Sequence, residues 1–69
     1  MNHALSKTIL IDKVIELIAQ KSKVSLDMAR HSLYNSNVID LIDDDETGLY
    51  GQSPLYIFSL FDEERNKQL

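Results

Sequence analysis

One acidic segment contains the side chains with the clearest chemical potential in the chain. Asp43, Asp45, Thr47 and Gly48 match positions 1, 3, 5 and 6 of a calcium-binding loop, where oxygen ligands alternate and glycine allows a sharp turn. A complete loop closes on a bidentate glutamate at position 12, and that position is Pro54 here. Because the closing carboxylate is missing, we expect no metal site and no other cofactor.

The acids of residues 43–46 allow two other interpretations. One is a solvated charged face, which is the usual explanation of such a run. The other is a docking surface for a basic protein. Four acids at the C-terminal end of a predicted helix oppose its dipole, at about a few tenths of a kcal/mol each, and such a local cost is compatible with a use in binding. With three aromatic residues nearby, the partner-binding candidates are Asp43, Asp44, Asp45, Glu46, Tyr50, Tyr56 and Phe58.

The remaining polar residues carry no catalytic pattern. His3 and His31 have no cysteine and no second histidine at helical spacing that would complete a metal pair. No serine has a recognisable base beside it, and 69 residues leave little room for a deep pocket. We therefore expect a protein that is not an enzyme.

Residues 18–36 follow the outline of a helix-turn-helix, so a DNA-binding regulator is the alternative function. Arg30 and His31 on the second helix would face the bases, although Lys23 replaces the usual glycine of the turn. DNA-binding proteins draw most of their affinity from cationic contacts, whereas this chain has a net charge of −4. The charge disfavours nucleic acid as a partner.

Size and charge favour association with protein. The 69 residues include no cysteine, and a core this small without disulfides is marginal, which favours stabilisation by a second chain. Residues 1–36 contain five basic and three acidic residues, whereas residues 37–69 contain two basic and eight acidic ones. An acidic half attracts cationic surfaces. No apolar run approaches the roughly 20 residues that span a bilayer, so we expect a cytoplasmic protein with no membrane partner.

Apolar periodicity predicts three helices before residue 43. The first begins after Ser6, its N-cap, and ends near Ser22. The second follows Ser25, with Leu26, Ala29 and Leu33 on its inner face. The third covers residues 38–42. The pattern predicts one all-α domain over residues 1–69, a compact bundle of three to four short helices with frayed ends at about 1–5 and 66–69.

A final helix is predicted to begin at Ser53 and Pro54, with serine as the N-cap and proline in the first helical position. It ends near Asn66, and its residues from Asp62 onward are expected to be solvated. Its first half is apolar on most sides, with Leu55, Ile57, Phe58, Leu60 and Phe61. One small core cannot bury all of them, so we expect a homodimer that forms through this helix.

Several short motifs are spread over about residues 24–64. They are Val24-Ser25, Ala29, Leu33-Tyr34-x-Ser36, Leu41-Ile42, Glu46-Thr47-Gly48-Leu49-Tyr50 and Gln52-Ser53-Pro54-x-Tyr56. In these motifs the chain resembles a family of small bacterial proteins known only as a domain of unknown function. The resemblance implies a bacterial or phage origin, a helical domain and a neutralising role beside ADP-ribosyltransferase-like proteins. No catalytic residue is assigned in such a family, so none is transferred.

These patterns together favour a non-catalytic, acidic protein–protein interaction module of an accessory or antitoxin-like kind. Its expected partners are a second copy of the chain and a basic protein.

The calcium interpretation has a direct test. Because Pro54 stands where the closing glutamate should be, calorimetric titration with millimolar calcium is expected to show no saturable heat. A dissociation constant below about 10⁻⁴ M, within the range of true loop sites, would contradict this expectation.

Overall fold

The structure is a computed structural model and describes residues 3–67. Helices make up most of this part of the chain. The elements are α1 (Ala4–Ser22), α2 (Leu26–Tyr34), α3 (Asn37–Asp43) and α4 (Pro54–Lys67), with two 3₁₀ turns, Asp45–Thr47 and Leu49–Gly51, between α3 and α4. Residues 3–67 contain no strand. The radius of gyration is 11.4 Å, close to the roughly 11 Å of a compact chain of this length. The prediction of a compact all-α bundle is confirmed.

The core forms where α2 and α4 pack on one side of α1 and α3 packs against α2 and α4. Within residues 3–67 it consists of ten buried apolar side chains: Leu10, Val14, Ile15 and Ile18 of α1, Ala29 and Leu33 of α2, Val38 and Ile42 of α3, and Ile57 and Phe61 of α4. The prediction that Leu26 belongs to the inner face of α2 is wrong, since 54% of this residue is exposed. Leu26 is the first residue of α2 and therefore lies at the rim of the contact with α1.

Two predicted serine caps are confirmed. The Met28 amide donates to Oγ of Ser25 at 3.1 Å at the start of α2. The Tyr56 amide donates to Oγ of Ser53 at 3.2 Å at the start of α4. Such a bond satisfies one of the amides that a helix N-terminus leaves without a partner.

The start of α3 is capped from a distance. Ser36 stands at the N-cap position, but its hydroxyl donates to the carbonyl of Leu33 at 2.6 Å and makes no cap bond to α3. The Asn37 amide instead donates to the carboxylate of Glu64, at 3.1 and 3.2 Å from its two oxygens. A carboxylate of α4 therefore takes the role that the side chain of an N-cap residue usually has.

The first and last helices extend further toward the chain ends than the sequence indicates. Ser6 is not the N-cap of α1, because α1 begins at Ala4 after His3. At the other end α4 continues to Lys67. Residues 4, 5, 66 and 67 thus belong to helices, whereas residues 1, 2, 68 and 69 lie outside the described part of the chain, and the expectation of frayed ends stays a prediction.

The last turns of α4 are mostly exposed, as the sequence indicates, but Glu64 and Arg65 also contact the rest of the bundle. The Arg65 guanidinium donates to Oγ of Ser22 at 3.3 Å and lies 5.5 Å from the centre of the Phe61 ring. Together with the carboxylate of Glu64, Arg65 ties the end of α4 to the start of α3 and the end of α1. Across residues 3–67, no helix has both the length and the apolar character needed to cross a membrane.

The cap at Ser53 generates a stability prediction. Replacement of Ser53 by Ala should lower the free energy of unfolding by about 1 kcal/mol, because α4 loses the hydrogen bond to the Tyr56 amide. Ser53→Asp keeps an acceptor at this position and is the control, expected to retain most of the wild-type stability. Urea unfolding of the three proteins measures the effect, and equal midpoints for wild type and Ser53→Ala would contradict it.

Candidate interaction surface

Lys7 of α1 contacts the acidic turn, residues 43–46, through a hydrogen bond and ion pairs. Nζ of Lys7 donates to the backbone carbonyl of Asp43 at 2.7 Å. The same atom lies 2.5 Å from a carboxylate oxygen of Asp45 and 3.9 Å from one of Asp43. Because α3 ends at Asp43, Lys7 places a positive charge at the negative end of that helix. The cation of α1 therefore offsets part of the repulsion that the four acids create.

The contact between Lys7 and Asp45 shifts the pKa values of both side chains. The hydrogen bond from Lys7, with the charge attraction that accompanies it, holds the pKa of Asp45 below its ordinary value of 3.8. The same hydrogen bond raises the pKa of Lys7 above its ordinary value of 10.5, while partial burial opposes this rise. Both shifts favour the charged forms. The pair therefore stabilises the fold most at pH values between the ordinary pKa of aspartate and the ordinary pKa of lysine.

Two further side-chain oxygens at the turn are engaged within the chain. Oδ1 of Asp44 accepts from the amide of Glu46 at 3.0 Å and caps the first 3₁₀ turn. The hydroxyl of Thr47 donates to the carbonyl of Leu41 at 2.6 Å. Gly48 then ends this turn with φ of 68°, a left-handed conformation that glycine adopts without strain. The three oxygen positions of the calcium-loop pattern thus belong to a lysine contact and a capped turn.

The aromatic candidates have three different environments. Tyr50 is half-buried and stacks on the ring of His3, with ring centres 4.1 Å apart. Tyr56 is 47% exposed in the first turn of α4. Phe58 is half-buried beside Phe61, and Nζ of Lys21 lies 5.8 Å from its ring centre. Phe58 is therefore mainly a packing residue, since its ring has neighbours within the bundle.

The seven predicted binding residues do not form one surface. The acidic turn contacts Lys7 near the start of α1, whereas Phe58 lies beside Lys21 near its end. Fourteen helical residues separate these two lysines, which corresponds to about 21 Å along the axis. The acids and Tyr50 occupy one end of the bundle, and Phe58 belongs to the other.

Sequence reasoning missed a groove between α1 and the segment that leads into α4, which we call the α1–α4 groove. It consists of two clefts, of about 280 and 410 Å³, that share Lys13 and Pro54. The remaining lining residues are Ser6, Ile9, Leu10, Glu16, Leu17, Gln20, Tyr50, Gly51, Gln52, Ser53 and Leu55. Ile9 and Leu17, which flank the core stripe of α1, are the signal in the sequence that could have indicated a second apolar side.

Leu55 is the exposed apolar residue of α4 at this groove. Its exposed fraction is 60%, while Ile57 and Phe61 are buried in the core. Phe58 and Leu60 are half-buried and pack against the core. Of the five residues expected to build a dimer contact on α4, Leu55 is the one that is mainly exposed, so we expect a contact through this helix to use its first turn.

The predicted helix-turn-helix region forms a helical hairpin. The turn between α1 and α2 passes through Lys23, whose φ of 57° lies in the left-handed region that glycine usually occupies. Arg30 contacts the carboxylate of Asp27 at 3.4 Å, one turn earlier on α2. His31 is exposed. The cation that would reach a base is thus paired with an acid of its own helix.

Metal ligands do not converge in the described part of the chain: residues 3–67 contain no group of three or more histidine, aspartate and glutamate side chains placed to hold an ion. No protein-family model matches the sequence, and no curated protein or solved structure matches it either. The resemblance to the small bacterial family therefore stays a prediction.

The Lys7 contact predicts a pH-dependent contribution to stability. Lys7→Met keeps most of the apolar stem but loses the ammonium, so it should lower the free energy of unfolding at about pH 7. The difference in the free energy of unfolding between wild type and variant should shrink as the pH falls through the lowered pKa of Asp45, because a neutral Asp45 no longer attracts the Lys7 ammonium. It should also shrink above the raised pKa of Lys7.

Urea unfolding at about pH 7 and about pH 2.5 measures both differences. Lys67→Met is the matched control, since it removes an exposed contact of 3.2 Å with Glu63 on α4. Exposed pairs of this kind contribute little. An equal loss of stability at the two pH values for Lys7→Met would contradict the role of the charge.

Proposed function

We propose that this chain is a non-catalytic protein-interaction module that acts in the cytoplasm, in an accessory or antitoxin-like role, and that pairs with a second copy of itself. The α1–α4 groove, with exposed Leu55 at its edge, is the observation that carries this proposal. It provides an open, partly apolar surface on a bundle whose core is small.

The energetics favour occupation of this groove. Each large apolar side chain left in water forgoes roughly 1.5–3 kcal/mol of burial. Leu55 is 60% exposed and Ile9 is 48% exposed along the same groove. A standard interface covers about 800 Å² per partner, roughly one-sixth of the 4793 Å² accessible surface of the chain. A contact of that size around the groove would strengthen a fold with no disulfide.

The non-catalytic part of the proposal draws support from the polar groups of the bundle. No buried side-chain nitrogen or oxygen in residues 3–67 lacks a hydrogen-bond partner. A catalytic site instead collects polar groups poised in a cleft. The clefts of the α1–α4 groove are open. Their polar side chains are either exposed to solvent, as in Lys13, Glu16 and Gln20, or used as a helix cap, as in Ser53.

A basic protein is the second partner that we propose, at the acidic turn. Lys7 offsets one of the four negative charges, which leaves an excess at this end of the molecule. The side chains of Asp43 and Asp45 are 87% and 60% exposed, and Glu46 is exposed as well. Complementary charge mainly accelerates encounter and selects partners, so salt should slow this association.

The pairing is tested by sedimentation equilibrium of the full chain at micromolar concentrations. We expect a dimer for wild type and a monomer for Leu55→Glu, because a carboxylate at this position would be buried in the contact without a partner. Leu26→Glu is the matched control, since Leu26 is 54% exposed in the first turn of α2, outside the groove. This variant should remain a dimer.

The two variants also control for folding. Both place an acid in the first turn of a helix, where a negative charge is favourable, so neither should lose helicity. A wild-type chain that sediments as a monomer, or a Leu55→Glu variant that stays dimeric, would refute the proposed pairing.

A further inference from the structure

The α1–α4 groove carries one charge of each sign. Lys13 and Glu16 are its charged residues, three positions apart on the exposed side of α1. Neither forms an ion pair with another residue in 3–67. A surface with one cation and one anion side by side is complementary to a second copy of itself, provided that the copy runs in the opposite direction.

We propose that two copies pair through this groove with their α1 helices antiparallel, about a two-fold axis that passes between Lys13 and Glu16. Lys13 of each copy then faces Glu16 of the other, which gives two identical ion pairs. This inference rests on the proposed pairing and specifies its geometry. In this register Leu17 and Leu55, which line the same cleft as Glu16, lie close to the axis and are covered first.

The distribution of charge along α1 selects the antiparallel direction. Its N-terminal end bears the acidic turn, where Asp40 and the four acids of residues 43–46 outweigh Lys7. Its C-terminal end is close to neutral, because cations offset the acids of α2 and α4. The charged residues at that end are Lys21, Lys23, Asp27, Arg30, Asp62, Glu63, Glu64, Arg65 and Lys67. A parallel pair would bring two acidic ends together, whereas an antiparallel pair separates them.

Distance makes this selection effective. The two ends of α1 lie about 27 Å apart, more than three times the Debye length of about 8 Å at physiological ionic strength. Within one copy, charges at one end of α1 are therefore screened from charges at the other end. The relative direction of the two copies decides which charged ends become neighbours. A two-fold axis also closes the assembly at two copies, as isologous contacts do.

Charge reversal at Lys13 and Glu16 tests this geometry. Lys13→Glu alone places two acids opposite two acids in the dimer, and Glu16→Lys alone places two cations opposite two cations. Each variant should associate about tenfold more weakly or worse than wild type, because two attractive contacts become repulsive. An equimolar mixture of the two variants should restore a dimer, since every facing pair is then of opposite charge.

Matched controls come from an exposed ion pair on α4, Lys67 with Glu63. Lys67→Glu and Glu63→Lys change the net charge by the same amounts on α4, outside the groove, and should weaken the dimer much less, since they alter only the long-range charge of that end. Glutamate and lysine have similar helix propensities, so helicity should be unchanged in all four variants. Circular dichroism verifies this, and sedimentation equilibrium at low and at physiological salt measures the association.

The possible results distinguish the proposed pairing from its antiparallel register. A dimeric wild type with two weakened variants and a restored mixture supports the antiparallel register. If wild type and Leu55→Glu behave as proposed but Lys13→Glu and Glu16→Lys both remain dimeric, the register is refuted and the pairing stands. If both variants weaken and their mixture stays monomeric, reciprocal facing of Lys13 and Glu16 is refuted. A monomeric wild type refutes the pairing and the register together.

Discussion

Burial of one stripe of α1, Leu10, Val14 and Ile18, is the interaction on which the rest of the structure depends. The helix α1 packs against α2, against α4 and against the turn before α4, so the two halves of the chain meet on it. A bundle without cysteine has no covalent restraint that could replace this contact. Since the packed elements cover only part of the circumference of α1, its remaining side is left open. The α1–α4 groove is thus a geometric consequence of how few elements are available to surround the longest helix.

Local features of this fold could be predicted from the sequence, whereas its long-range polar contacts could not. Helical spacing located the elements, and Ser25 and Ser53 located two helix starts, because a cap acts within three residues. The bond from the Asn37 amide to Glu64 spans 27 residues, and the bond from Lys7 to the acidic turn spans 36. Neither pair has a sequence pattern, since each depends on how α1, α3 and α4 are placed. The same limit applies to the groove: the sequence indicates that α4 has more apolar residues than one core can bury, but the exposure of Leu55 and its neighbours on α1 follow only from the packing.

Electrostatics in this chain act at two scales. At close range Lys7 offsets the charges that oppose the dipole of α3, and Asp44 caps the turn that follows. At longer range the excess of acid remains at one end of the bundle, because the cations of residues 1–36 are spread along α1 and α2. A local contact therefore makes the acidic turn compatible with folding without removing its field. This combination keeps a surface of one sign accessible while the backbone beneath it is held in place.

The cap that Glu64 provides for α3 has a consequence for biosynthesis. The ribosome completes α1, α2 and α3 before it adds α4, so the amide of Asn37 and the apolar faces that Ile57 and Phe61 cover lack their partners while the chain grows. The nascent chain cannot reach its final packing by adding one helix at a time. The bundle instead closes late, when the last turns of α4 become available to α1 and α3. Until that moment the apolar faces of the earlier helices lack their final partner, and apolar surface that is exposed during folding favours aggregation.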